Sequence, residues 1–183
     1  MLVILFQFII GILLFIGLSS YLSVPWGAPW VPTSIKTSKA MLTMADVKSN
    51  QVVIDLGAGE GRLVRMAVHA FNAKAIGVEI DPVRCAIANM LIMLTSISEH
   101  AHVYHGNLFS FDVSSADIVT IYLSHKAVKQ LTPYLGRNLR PGTKVISNSF
   151  PFFDWRPILI DEDKRLFMYE IGNTGKDVKT MFV

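Results

Sequence analysis

The stretch Val52 to Arg62, VVIDLGAGEGR, decides the fold. Val52, Val53 and Ile54 run into Asp55, and Gly57, Gly59 and Gly61 then alternate with other residues. An amphipathic segment follows, with Leu63, Met66, Ala67 and Ala70 at helical spacing. The order is buried strand, glycine turn, helix. So tight a turn needs residues that accept positive φ and let a ligand approach the backbone. The helix beyond it points free N–H groups into the turn.

Two details narrow the reading. The spacing is Gly57-x-Gly59-x-Gly61, not G-x-G-x-x-G. An acid, Asp55, also stands on the strand just before the first glycine. A carboxylate there repels a pyrophosphate but suits a cationic ligand with an amino group. The pattern resembles motif I of the class I S-adenosylmethionine (SAM) methyltransferases. SAM carries a sulfonium and an α-ammonium and no phosphate. The resemblance implies SAM as cofactor, held by Asp55, Gly57, Ala58, Gly59 and Gly61. The competing reading is a structural glycine turn in another α/β protein.

A second station supports the first. Ala75 to Val78 is another apolar strand and ends in Glu79, Ile80, Asp81 and Pro82. Glu79 stands roughly 20 residues past the glycines, where such folds place an acid on the ribose hydroxyls. A carboxylate accepts from both. Asp81 before Pro82 reads as an N-cap with proline at the first helical position.

Outward toward the N-terminus the composition changes. Hydrophobic residues make up 51% of the 183, and the excess is concentrated at the start. Residues 1–35 contain no Asp, Glu, Lys or Arg. As a helix, residues 1–22 would extend about 33 Å, enough to cross a bilayer core. A cleaved signal peptide fits less well, because no basic n-region and no A-x-A-like site is evident. The expected organisation is a transmembrane anchor at 1–22, a linker at 23–35 and a catalytic domain at 36–183. Pro25, Pro29 and Pro32 favour extended backbone in the linker. Trp26 and Trp30 suit a headgroup boundary or packing against the domain. Lys36 and Lys39, the first charges, predict a single-pass protein with its domain on the cytoplasmic or organellar matrix side. Cys85 is the single cysteine, which permits no intrachain disulfide. The net charge of +3, without a long basic run, does not argue for nucleic acid.

Downstream, Thr37 to Val47 reads as a short helix able to close over the cofactor. Ala101 to Tyr104 is the third strand, and Asn107 follows it. Relatives of the motif I family carry Asp there, on the adenine amino group, and Asn can still accept through its carbonyl oxygen. Ala116 to Leu123 is the fourth strand, with Tyr122, Ser124 and His125 at its carboxyl end, where open parallel sheets bind ligands. Lys144 to Ser149 is the fifth, followed by Phe150 to Pro157. Arg165 to Ile171 and Asp177 to Val183 read as two final strands joined by a turn around Asn173. The fold expected is α/β, a Rossmann-like seven-stranded methyltransferase sheet, mostly parallel, with a C-terminal antiparallel hairpin.

A closer resemblance follows from Val31-Pro32-Thr33, Met41 to Ala45, DLGAGEGR, GVEIDP, DIVTIYL and LRPGTKVISNSFPFFDW, in that order. Together these resemble the small protein-lysine methyltransferases. That group includes the membrane-anchored mitochondrial enzymes acting on ATP synthase c subunit and adenine nucleotide translocase, and compact prokaryotic relatives. The resemblance spans roughly Val31 to Pro157 and implies a lysine on a membrane-associated protein as acceptor. Departures near Asn148, Ser149, Phe153 and Asp154 bear on the substrate rather than the cofactor.

Methyl transfer to an amine is an in-line displacement, so orientation supplies much of the rate. The amine must be neutral, and an apolar slot beside a sulfonium depresses its pKa. Tyr122, Phe150 and Trp155 are the candidate substrate-binding residues, with Tyr122 the one catalytic candidate. Ordinary core packing is the alternative for each. His100, His102 and His105 do not converge on one face, so no metal site is expected. The N/D-P-P-Y/F motif of base methyltransferases is absent after the fourth strand. Two other functions stay open: a membrane-bound methyltransferase of a lipid or quinone-like molecule, and a non-catalytic SAM-binding assembly factor.

Overall fold

The computed structural model describes residues 4–7, 10, 11, 17, 31–173 and 179–181. The predicted anchor at 1–22 lies mostly outside the described residues, as do Trp26 and Trp30. Among the described residues no helix is long and apolar enough to cross a membrane.

The domain opens with α1 (Ile35–Met44), whose N-cap Ser34 accepts from the Thr37 N–H. Then come β1 (Val52–Leu56), α2 (Arg62–Phe71), β2 (Lys74–Glu79), α3 (Pro82–Leu94) and β3 (Ala101–His105). The chain continues through β4 (Ile118–Ile121), α4 (His125–Asn138), β5 (Lys144–Asn148), β6 (Leu159–Asp161), β7 (Leu166–Glu170) and β8 (Lys179–Met181). The predicted cap at Asp81 is present: its carboxylate accepts from Val83 and Arg84, with Pro82 at the first helical position. α2 starts and stops on left-handed residues, Gly61 and Asn72.

The strands form a single sheet of order β3-β2-β1-β4-β5-β7-β6-β8. β1 to β5 run parallel, and β7 lies antiparallel between β5 and β6. Alternate residues of the central strands feed two cores. Val53, Ile118 and Ile146 join Leu42, Val64 and Ala88 on the side of α1, α2 and α3. Ile54, Val119 and Val145 join Val128, Leu131 and Leu135 of α4 on the other. The chain crosses from one face to the other between β3 and β4, and the carboxyl ends of β1 and β4 form a crevice there.

The C-terminal pairing differs from expectation. The two final strands were expected to pair with each other. Instead the hairpin is β6 with β7, and β8 adds in parallel beyond β6 as an eighth strand. β7 is buried on both faces, with Leu166 and Met168 in one core and Tyr169 in the other. β6 is hard to read because it is three residues long and follows Arg156-Pro157. Its turn is held by Asp161 Oδ1, which accepts from the Lys164 N–H at 2.9 Å.

Candidate active site

The register places Asp55 of β1 between Gly77 of β2 and Thr120 of β4. Thr120 Oγ1 donates to Asp55 Oδ1 at 2.8 Å, and both residues are buried. Burial pushes the Asp55 carboxyl up from the ordinary 3.8 to about 7; the Thr120 hydrogen bond opposes the shift and the Glu79 charge adds to it.

The turn after Asp55 has the conformation its glycines suggest. Gly57, Gly59 and Gly61 all have left-handed φ, at 88°, 56° and 73°. A Cβ on Gly57 would lie 2.8 Å from Leu123 Cδ2, so this residue is packed onto the end of β4. Glu79 Oε2 accepts from the Gly59 N–H at 2.8 Å, and Oε1 accepts from the Asp81 N–H at 2.9 Å. The end of β2 thereby holds the turn in place.

A cleft lies against this turn. Its floor is Asp55, Gly57, Ala58 and Gly59, with Tyr122 at the end of β4. Met41 of α1 and Leu63 of α2 add apolar wall, and Val31, Pro32 and Thr33 close one side. Glu60 and Arg62 stand at the same cleft. Tyr122 is half-buried, and its hydroxyl has no hydrogen-bond partner among the described residues.

Not every predicted residue converges here. Glu79 buttresses the turn rather than lining this cleft. Asn107 is exposed after β3, and its Oδ1 accepts from the Phe109 N–H at 3.0 Å. That bond uses one of the two lone pairs of the carbonyl oxygen, and the expected role toward adenine stays an expectation. Phe150 is half-buried beside His125, their ring centroids 6.5 Å apart, and Phe153 lies 4.7 Å from His125. Trp155 is not among the residues lining this cleft. It stacks on Phe152 at 4.5 Å and packs edge-on against Tyr169 at 5.8 Å. Those contacts pack it against the α4-side core. The proline bends after β5 turn the segment back toward β7, which spacing alone could not reveal.

Sequence reasoning also missed residues. Thr120 had one visible signal, a hydroxyl inside an otherwise apolar strand. Gly77 had another, a glycine inside AIGV. Its added Cβ would lie 2.7 Å from Ala58 Cβ and 2.8 Å from Val103 Cγ2. Met41 was legible only as part of a helix able to cover the ligand, and Val31–Thr33 only as the end of the linker.

The cleft fits SAM. A buried carboxylate whose ionisation burial opposes is matched by an incoming cation, and the left-handed turn leaves its backbone open to close approach. Among the described residues no group of His, Cys, Asp and Glu could hold a metal ion.

Residues 55–159 match the family model described as the ANTKMT methyltransferase domain. The chain is 36% identical over 151 residues to a protein-lysine N-methyltransferase of Saccharolobus islandicus, covering 82% of this chain and 90% of that protein. It is 23% identical over 154 residues to the adenine nucleotide translocase lysine N-methyltransferase of Mus musculus, covering 83% of this chain and 67% of that one. Among solved structures, an RNA methyltransferase from Salinibacter ruber bound to S-adenosyl-L-homocysteine superposes with a TM-score of 0.76. The two are 32% identical, and the match covers 81% of this chain and 99% of that one. The chain is a SAM-dependent methyltransferase and belongs to the ANTKMT family, whose relatives are protein-lysine N-methyltransferases.

Proposed function

We propose that this chain methylates the side-chain amine of a lysine on a membrane-associated protein. The observation that carries the reading is the Tyr122 hydroxyl, which has no hydrogen-bond partner among the described residues, in a cleft whose two lining acids are both engaged. Of the two acids at the cleft, Asp55 is bonded to Thr120 and Glu60 to two arginines. A hydroxyl acceptor would need a base. An amine needs only to lose its proton to water and be held in line.

SAM supplies an activated methyl on its sulfonium; the S–CH₃ bond breaks as the N–CH₃ bond forms, leaving S-adenosylhomocysteine. The chain's own part is placement. Asp55 and the glycine turn fix the donor, and Tyr122 orients the amine. Phe150, His125 and Phe153 supply aromatic surface at the carboxyl ends of β4 and β5, suited to an alkylammonium before it deprotonates.

The membrane part of the reading is supported by the charge-free residues 1–35 and by the exposed Ile4, Leu5 and Phe6. A single-pass anchor, with the domain on the SAM-containing side, would keep the site within a short linker's reach of the bilayer. That raises the effective concentration of membrane targets.

A second reading, RNA methylation, is favoured by the likeness to the Salinibacter ruber RNA methyltransferase. Against it stand the modest net charge and the Tyr122-Leu-Ser-His125 sequence in place of a base methyltransferase motif. One assay separates the outcomes. The purified full-length chain is incubated with methyl-labelled SAM and a total membrane extract. Label in protein, released as methyl-lysine on hydrolysis, is expected. Label confined to the organic phase or to RNA would replace the reading.

A further inference from the structure

The glycine turn carries a charge arrangement that the proposed chemistry does not use. Glu60 sits between two arginines. Its Oε1 accepts from Arg62 Nε at 2.9 Å and its Oε2 accepts from Arg65 Nη2 at 2.8 Å. One carboxylate shared by two guanidiniums leaves the cluster with a net charge of one positive unit. Both Glu60 and Arg62 line the cleft, and the opposite charge in it is Asp55 on the floor. The cleft therefore presents an acid and an arginine to the same ligand.

The orientation of Arg62 is fixed from two sides. Nε is held by Glu60, and Nη1 donates to the Thr33 carbonyl at 2.8 Å. A guanidinium is planar, so these two bonds set the direction of its remaining nitrogen. Nη2 has no partner among the described residues, and the Arg62 side chain keeps 35% of its surface. A free N–H donor of fixed direction on a cation makes a single charge-assisted hydrogen bond to a carboxylate or phosphate oxygen. A phosphate is disfavoured beside the buried Asp55. An α-amino acid satisfies both charges, its ammonium toward Asp55 and its carboxylate toward the arginine.

We propose that Arg62 binds the α-carboxylate of the amino-acid moiety of SAM. It does so through Nη2, while Nη1 holds residues 31–33 along the side of the cleft. The proposal rests on the assignment of this cleft to SAM and adds the residue that recognises the carboxylate. Asp55 and Arg62 together then select a zwitterion, and a ligand lacking either charge leaves one of them unmatched.

The test compares two ligands on the full-length chain by titration calorimetry: S-adenosylhomocysteine and its decarboxylated analogue, which keeps the amine. The wild type should prefer the carboxylate-bearing ligand about tenfold or more, the worth of one charge-assisted hydrogen bond. Arg62→Ala should abolish the preference and bring the two affinities within about twofold of each other, whatever loss of the Thr33 contact costs both ligands. Arg62→Lys, which keeps the charge but not the fixed direction of the donor, should retain part of the preference. Equal affinity for the two ligands in the wild type overturns the proposal without any variant. So does an Arg62→Ala chain that weakens both ligands alike, since the arginine would then act only by holding residues 31–33. Failure of the wild type to bind S-adenosylhomocysteine at all would remove the cofactor assignment itself.

Discussion

Thr120 donates its hydroxyl to the buried Asp55 carboxylate across the β1–β4 pair, at 2.8 Å. That single hydrogen bond does not offset burial, and the Asp55 carboxyl is pushed up from 3.8 to about 7. The folded chain therefore holds a proton at Asp55 that the unfolded chain has already released. Stability from this residue is full below about pH 4, declines as pH rises through the window to about 7, and is flat above it. The decline is on the order of 4 kcal/mol across that window. Asp55→Asn keeps an acceptor for Thr120 and removes the ionisation. Its denaturant-unfolding free energy should lose most of the downward slope between pH 5 and pH 8, while its affinity for S-adenosylhomocysteine falls. A variant with the wild-type slope would show that Asp55 is not the titrating group. Ligand binding to the wild type near pH 6 should release a proton, visible as a buffer-dependent calorimetric enthalpy.

Gly77 makes room for the glycine turn from the neighbouring strand. An added methyl would lie 2.7 Å from Ala58 Cβ, 2.8 Å from Val103 Cγ2 and 3.1 Å from Val64 Cγ2. Ala58 is part of the turn, so relief by moving Ala58 reshapes the cofactor cleft. Gly77→Ala should destabilise the domain by about 1–3 kcal/mol, the usual penalty for overpacking. It should also weaken S-adenosylhomocysteine binding in chain that remains folded. A loss of stability with unchanged affinity would mean that Val103 and Val64 absorb the strain instead.

These two positions show which features a sequence carries openly. The strand, glycine turn and helix from Val52 to Phe71 are legible because each local requirement is written in residue type. The Asp81-Pro82 cap is legible for the same reason. Arg62 and Thr120 are not, because their roles depend on which strands become neighbours. Trp155 shows the opposite ambiguity. An aromatic residue after β5 is compatible with either a slot or a core, and only the chain's course past Pro151 and Pro157 decides. β6 failed because three residues carry too little periodicity to be distinguished from the loop around them.

Asn89 protects the open edge of the sheet. β3 is the outermost strand, and its mid-strand residue Val103 turns its backbone groups away from β2. The Val103 N–H donates to Asn89 Oδ1 at 2.9 Å, and Asn89 Nδ2 donates to the Val103 carbonyl at 2.7 Å. One side chain from α3 thus replaces a ninth strand. Asn89→Ala should cost about 1–3 kcal/mol, the penalty for leaving such groups unpaired. It should also increase concentration-dependent self-association, because an unsatisfied edge is a template for pairing. Sedimentation of the variant and the wild type under the same conditions compares the two. A variant that is as monodisperse as the wild type would show that the edge is protected by other means.

Tyr122 separates the amine-orienting reading from plain packing. Its ring is half-buried at the end of β4, in the same cleft as Asp55 and the glycine turn, and its hydroxyl is unpartnered among the described residues. Tyr122→Phe keeps the ring and removes only the hydroxyl, so the wall of the cleft is preserved. If the hydroxyl orients the acceptor amine, kcat on a lysine peptide should fall about tenfold or more, the worth of one hydrogen bond made in the transition state. The affinity for S-adenosylhomocysteine should move by less than about twofold, since the Asp55 and glycine contacts remain. Tyr122→Ala should then lose both, because it also opens the wall. The split between turnover and cofactor affinity is the diagnostic. A Tyr122→Phe enzyme with wild-type kcat would reduce Tyr122 to a packing residue and leave orientation of the amine to Phe150 and its neighbours.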